Sequence, residues 1–332
     1  MQAWRYVGVQ QSLERQEIEQ PKPGPGEIVV RVRAAGVCHS DLHVLEGIAP
    51  FPTPLTLGHE VAGTIEELGP GVRDLAVGQM VVLYGPNSEG DCRFCRRGEE
   101  NLCAASQPIG LGIDGGYADF VRCRARSAIV VPAEVRPEQA AVATDAVLTP
   151  YHALKSAARL RAGETAVIIG LGGLGMNAIE IAQLLGASVI AMDVVPEKLA
   201  HARALGAHET VDGRDAEAVA ALAQRQPDLV ADFVGLESSV RMAQQIVRPG
   251  GRVLLVGLGA VAGPLLTFRY GAQQIATLGS FWGTSQELRE VLDLIARGAL
   301  SPLVTTEPLA FVNDVLERLR HGSVDGRIAL TP

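Results

Sequence analysis

Residues 165–193 restrict the fold more than any other part of the chain. Thr165-Ala166-Val167-Ile168-Ile169 is a β-branched apolar run of the kind that a strand buried on both faces requires. It passes directly into Gly170-Leu171-Gly172-Gly173-Leu174-Gly175, which fits the spacing G-x-G-x-x-G. Residues 176–185 are helix-compatible, Gly186 marks the stop, and 188–192 is a second apolar strand closed by Asp193. Each part has a mechanical reason. Gly170 permits a tight turn, Gly172 lets a pyrophosphate approach the backbone, and Gly175 lets the helix pack close to the strand. The helix start offers free N–H groups and the positive end of its dipole to phosphate. An acid closing the next strand accepts hydrogen bonds from a ribose 2′-hydroxyl. The chain has 37 glycines, so a chance match is cheap, and it is the agreement of all five parts that predicts a dinucleotide site. Val194, Val195 and Pro196 follow Asp193 with no arginine to pair a 2′-phosphate, which favours NAD over NADP.

At 332 residues the chain is long enough for two domains, each with its own core. A composition 47% hydrophobic and 20% charged is that of a soluble globular protein. A net charge of −8 argues against nucleic acid or an anionic membrane as the main partner. No apolar run approaches a membrane span, and Met-Gln-Ala-Trp-Arg-Tyr lacks the apolar core of a signal peptide; the expectation is a cytoplasmic protein. Of 5 cysteines, three fall between Cys92 and Cys103, which suits metal ligation better than a disulfide framework.

The two halves of the chain differ in rhythm. Pro21 to Gly26 is turn chemistry, and 27–33 alternates like a half-buried strand. Short strands are predicted at 61–68, 79–83, 118–123 and 128–131. From about Ala146 helix and strand alternate, with further strands near 209–211, 229–234, 252–257 and 276–281 and helices near 197–205 and 238–247. Six strands make a complete dinucleotide-binding sheet. Beyond Ser285 the chain holds a helix, a short strand region, a second helix near 313–320 and a closing strand at 326–330. These are too few for a domain and should return to the first. The predicted fold class is α/β: a β-rich domain of residues 1–145 and 284–332 around a doubly wound domain of 146–283.

Gly36-Val37-Cys38-His39-Ser40-Asp41-Leu42-His43 lies in the front domain, and Gly58-His59-Glu60 follows. Taken singly, Cys38 reads equally as a small core residue, His59 as a satisfied loop histidine and Asp145 as a helix N-cap. The ordered set of 36–43, Leu57-Gly58-His59-Glu60, Thr144-Asp145-Ala146-Val147-Leu148-Thr149-Pro150-Tyr151-His152-Ala153 and the glycine turn is more specific. With it the chain resembles the zinc-dependent medium-chain alcohol dehydrogenases, of the bacterial and archaeal secondary-alcohol type, along essentially its whole length. The resemblance implies a GroES-like catalytic domain joined to a Rossmann domain with a six-stranded parallel sheet. It also implies a catalytic zinc held by Cys38, His59 and Asp145, with Glu60 as an occasional fourth ligand. Asp145 stands where many members carry cysteine. Three protein ligands leave one tetrahedral position open, as a catalytic zinc requires. The zinc would act as a Lewis acid on the alcohol oxygen. Ser40 would take the hydroxyl proton and His43 would end the relay.

The resemblance carries further expectations. Glu89, Cys92, Cys95 and Cys103 match the family's structural-zinc spacing, with glutamate in place of the first cysteine. By family position, His39, Thr149, Leu174, Lys198, Val256, Leu258, Ser280, Phe281 and Arg327 should touch NAD beside the glycine turn and Asp193. Ile48, Phe51, Tyr84 and Trp282 are candidates for the substrate pocket. The implied reaction is NAD-dependent oxidation of a secondary alcohol, or the reverse reduction of a ketone or aldehyde, by a homodimer or homotetramer. Three other readings compete: a polyol or sugar dehydrogenase sharing the zinc site, a zinc-free quinone or enoyl reductase of the same fold, and a non-catalytic NAD sensor.

Overall fold

The apolar run that opens the glycine turn is a strand, Thr165–Ile169, with Ala166, Val167 and Ile168 fully buried. Ser188–Asp193 pairs with it in parallel, Ser188 facing Thr165 and Met192 facing Ile169. In this computed structural model, residues 1–48, 50–260, 262–263 and 265–332 are described. They divide into two units, Thr149–Trp282 and a second made of Met1–Leu148 with Gly283–Pro332.

Among the described residues, the Thr149–Trp282 unit is built on six parallel strands. Their order is Glu209–Asp212, Ser188–Asp193, Thr165–Ile169, Leu229–Asp232, Arg252–Leu255, Ala276–Gly279. The direction of strand addition reverses between Thr165–Ile169 and Leu229–Asp232, and ligands bind at such a switch point in doubly wound sheets. Val167, Ile190, Val230 and Val253 run across the centre of the sheet and are fully buried. The fourth strand stops at Asp232, short of the predicted 234. The Asp232 carboxylate accepts from the Val234 and Gly235 N–H groups at 2.8 and 3.0 Å, folding the chain into a turn. Two helices, Ala216–Gln224 and Thr267–Gln273, lie outside the pattern read from sequence. The first fully buries only Leu222, with Ala218, Val219 and Ala223 half-covered in an alanine-rich run, and the second buries no residue fully, so the apolar periodicity of both is weak.

The other unit is organised by one long strand, Glu27–Gly36, which pairs with Glu60–Leu68, Phe120–Arg124 and Arg327–Thr331. The last of these brings the end of the chain back beside the front strands, with Ala329 opposite Gly36. Met80–Leu83, Ala128–Val130 and Val304–Pro308 complete this sheet among the described residues. A smaller sheet of Glu14–Glu17, Gln2–Tyr6 and Leu55–Thr56 stands beside it. Ile28, Val30, Leu57, Val61, Ile109 and Tyr117 fill the core and are fully buried. No helix among the described residues is long and apolar enough to cross a membrane.

Candidate active site

Four side chains from three separate stretches of sequence converge in the Met1–Leu148 and Gly283–Pro332 unit. Cys38 follows the end of the long strand and starts the helix His39–Glu46. His59 precedes the strand Glu60–Leu68 and Glu60 is its first residue. Asp145 lies in a π-helical turn, Ala143–Val147, a widening of the helix that often marks a functional position. One donor atom from each of Cys38, His59, Glu60 and Asp145 lies within 4.8 Å of all the others. Asp145 Oδ2 stands 3.4 Å from Cys38 Sγ and 3.5 Å from His59 Nε2. Antiparallel register sets Glu60 opposite Gly36, where a methyl group would fall 1.8 Å from Glu60 Oε2, so glycine is what admits this carboxylate.

The electrostatics suit a cation. Arg327 is 3% exposed, and its guanidinium reaches Glu60 Oε1 at 3.0 Å, Cys38 Sγ at 3.2 Å and Asp145 Oδ2 at 3.3 Å. Burial pushes the Glu60 carboxyl up to about 8, against the pull of Arg327. Burial would depress His59, but the carboxylates of Asp41 and Asp145, each 3.5 Å from a ring nitrogen, hold it well above its ordinary range. Asp41 is fully buried 3.5 Å from His59 Nδ1, and accepts from the Cys38 N–H at 3.0 Å and the Tyr117 hydroxyl at 2.7 Å. Despite its burial, these partners keep Asp41 ionised. Glu60 Oε2 is buried with no hydrogen-bond partner in the described structure. A sulfur, an imidazole and two carboxylates around one point, with a buried carboxylate oxygen left over, match the donor set of a zinc ion.

In the other unit, the chain leaves Thr165–Ile169 through Gly170 at φ +89°, a left-handed conformation that favours glycine. It then winds at once into the helix Gly173–Leu184, three residues ahead of the predicted start. A Cβ at Gly172 would meet nothing within 4 Å, whereas one at Gly175 would lie 1.9 Å from Gly170 O. The turn is open on the side where a phosphate would approach and closed on the side where the helix packs. Asp193 accepts from the N–H groups of Leu171, Val194 and Val195 at 2.7–3.0 Å, which leaves about one of its four lone-pair sites for a ribose hydroxyl. Ser280, just past the strand Ala276–Gly279, has a buried hydroxyl with no partner in the described structure. These features fit a dinucleotide.

Two family models match the chain: the alcohol dehydrogenase GroES-like domain over residues 24–133 and the zinc-binding dehydrogenase over residues 173–297. An alcohol dehydrogenase of Geobacillus stearothermophilus is 36% identical over 323 residues, 96% of each chain. One from Moraxella sp. (strain TAE123) is also 36% identical, over 96% of each chain. Among solved structures, an acetophenone reductase from Geotrichum candidum in complex with NAD is 39% identical with a TM-score of 0.94, covering 100% of this chain and 97% of that one. The alcohol dehydrogenase of the hyperthermophilic archaeon Aeropyrum pernix is 36% identical with a TM-score of 0.95 over 100% of both chains. The chain belongs to the zinc-dependent medium-chain alcohol dehydrogenase family. It is an oxidoreductase of GroES-like and Rossmann architecture.

Within this alcohol dehydrogenase fold the remaining candidates are placed unevenly. Ser40 Oγ lies 3.7 Å from Cys38 Sγ, and His43 is half-buried one helical turn on. Burial lowers His43 below its ordinary value, which favours the neutral, proton-accepting imidazole. Cys92, Cys95 and Cys103 form a second cluster with all three sulfurs within 4.8 Å. Glu89 is not brought into it. Its side chain is exposed and lines a cavity of about 490 Å³ with Gly24, Glu27, Arg124 and Arg126, where the arginines supply the opposite charge. Arg327, expected at the pyrophosphate, is instead committed to the first cluster, because the register of the returning strand carries it there. Tyr84, expected in the substrate pocket, is 2% exposed and donates its hydroxyl to Gly283 O at 2.6 Å. Ile48 is exposed, Phe51 half-buried and Trp282 buried. Val256 and Thr149 are buried, Leu174 and Lys198 half-buried, and His39, Leu258 and Phe281 exposed. Sequence reasoning missed Asp41 and Tyr117. The spacing Cys38-x-x-Asp41, a helix-start pattern, carried a trace of the first; nothing in the sequence marked the second.

Proposed function

We propose that this protein oxidises secondary alcohols to ketones with NAD, and runs the reverse reduction, at a zinc ion held by Cys38, His59 and Asp145. The observation that carries the reading is the convergence of these donors with Glu60 in a buried site whose remaining carboxylate oxygen has no partner. When bound, zinc supplies Lewis acidity to the alcohol oxygen. The residues around it do the rest. Ser40 accepts the hydroxyl proton at Oγ and His43 passes it toward solvent. Glu60 and Arg327 set the charge behind the ligands. The open face of Gly172, the carboxylate of Asp193 and the hydroxyl of Ser280 orient NAD. Val194 after Asp193 supports NAD over NADP, as does the NAD complex of the acetophenone reductase.

A second, structural zinc belongs on Cys92, Cys95 and Cys103, with Glu89 completing the set by its sequence spacing. We place the protein in the cytoplasm, where three closely spaced thiols stay reduced. A homo-oligomer is supported by the edge strand Ala276–Gly279, paired on one side only, and by Phe268, which is 88% exposed. The test of the reading is an alcohol panel with NAD and with NADP. Turnover should be highest with a secondary alcohol and NAD. A preference for polyols, or quinone reduction unaffected by zinc removal, would refute it.

A further inference from the structure

We infer that Tyr117 is a positioning residue of the Cys38–His59–Asp145 centre, acting through the carboxylate of Asp41. The inference rests on the proposed metal site and extends it to a residue that touches no ligand side chain. Asp41 joins two ligands. Its Oδ2 accepts from the backbone N–H of Cys38 at 3.0 Å, and its Oδ1 faces His59 Nδ1 at 3.5 Å. A carboxylate behind a ligating imidazole selects the tautomer and sets the ring plane, so its own orientation matters to the metal.

Tyr117 sets that orientation. Its hydroxyl donates to Asp41 Oδ2 at 2.7 Å, closer than its other neighbour, Gly36 O, at 3.3 Å. The ring cannot drift. Tyr117 is fully buried, its N–H donates to Leu57 O at 3.0 Å, and its carbonyl accepts from the Trp4 N–H at 2.8 Å. The same ring packs against the peptide that precedes His59: a Cβ on Gly58 would sit 2.6 Å from Tyr117 Cδ1. One side chain thus braces the backbone before His59 and the carboxylate that is bonded to the Cys38 N–H and faces the His59 ring. Phenylalanine at this position would keep the packing and lose only the hydroxyl, leaving Asp41 Oδ2 with a single donor.

The test compares metal-loaded parent, Tyr117→Phe, Asp41→Asn and the double variant. Two quantities are read: the rate of zinc release to a chelator and the cobalt d–d absorption, each taken as the component absent from Cys38→Ser. Changing an outer partner of a metal ligand typically costs 10–100-fold in metal affinity. Tyr117→Phe should release zinc about 10-fold faster and shift the cobalt band while keeping the parent's circular dichroism. The double variant should be no worse than Asp41→Asn. Parent-like release and cobalt spectrum in Tyr117→Phe would overturn the positioning role. So would effects that add in full on Asp41→Asn, since Tyr117 would then act by another route. If the parent itself held no metal on Cys38, the metal reading would fail, and that result is distinct from either.

Discussion

Adding one methyl group at Gly172 and one at Gly175 should have different consequences for stability and the same consequence for cofactor binding. At Gly172 the backbone is extended, φ −84° and ψ −162°, and the new Cβ meets nothing within 4 Å. Alanine is a poorer N-cap than glycine by about 0.5 kcal/mol, while the loss of unfolded-state freedom stabilises by about 0.4–1 kcal/mol. The two nearly cancel, so the apparent Tm should stay within about 2 °C of the parent. At Gly175 the methyl would lie 1.9 Å from Gly170 O, a backbone atom with no side-chain rotation to relieve it. Overpacking of this kind costs about 1–3 kcal/mol, and the upper end, at 2–4 °C per kcal/mol, lowers the apparent Tm by roughly 6–12 °C. Both variants should bind NADH poorly. A methyl on the open face of Gly172 holds the pyrophosphate off N–H groups whose charge-assisted bonds are worth about 1.5–3 kcal/mol each, so the Kd should rise at least about 10-fold. Thermal melts and NADH fluorescence titration read both quantities. A Gly172→Ala protein with parent affinity would refute the phosphate cradle. A Gly175→Ala protein with the parent's Tm would refute the close approach of helix and turn.

Two more predictions concern the metal centre. The metal-free protein should lose stability as pH rises, because Glu60 is raised from 4.5 to about 8 and His59 is raised above 6.5. A raised group holds its proton in the folded chain after the unfolded chain has released it, so its contribution is full below the ordinary value and fades up to the raised one. The window therefore opens near 4.5 and extends through 8; loading with zinc should flatten the slope in a Tm–pH series and release protons measurable with an indicator dye. Above about pH 8, where Glu60 is ionised in the parent, Arg327→Met should lower stability by about 3–5 kcal/mol, since it leaves the buried carboxylate without its cation. Adding Glu60→Gln should recover part of that loss in denaturant titrations, and a single variant as stable as the parent would contradict the buried pair.

The sequence was legible where backbone and side chain demand the same thing. In 165–193 the β-branched strand, the glycines and the terminal acid are all required by one local geometry, and the strand, turn and helix appear in place. Cys38, His59 and Asp145 were legible through residue type and order, and the fold brings them together. What stayed hidden depends on register and burial. Arg327 reads, by family position, as a contact to NAD until the returning strand sets Ala329 against Gly36 and carries the guanidinium inward. Tyr117 reads as one more aromatic in a turn until its hydroxyl is found on Asp41, 76 residues away in sequence. Glu89 fits a ligand spacing, but its side chain lines a cavity with Arg124 and Arg126.

The most direct test of the account is the NAD-linked oxidation rate of a secondary alcohol before zinc removal, after it, and after zinc is returned to the same folded sample. The account predicts loss of activity when the Cys38 centre is emptied and its recovery on readdition, with NADH binding unchanged throughout. Turnover that persists with that centre verifiably empty would contradict it.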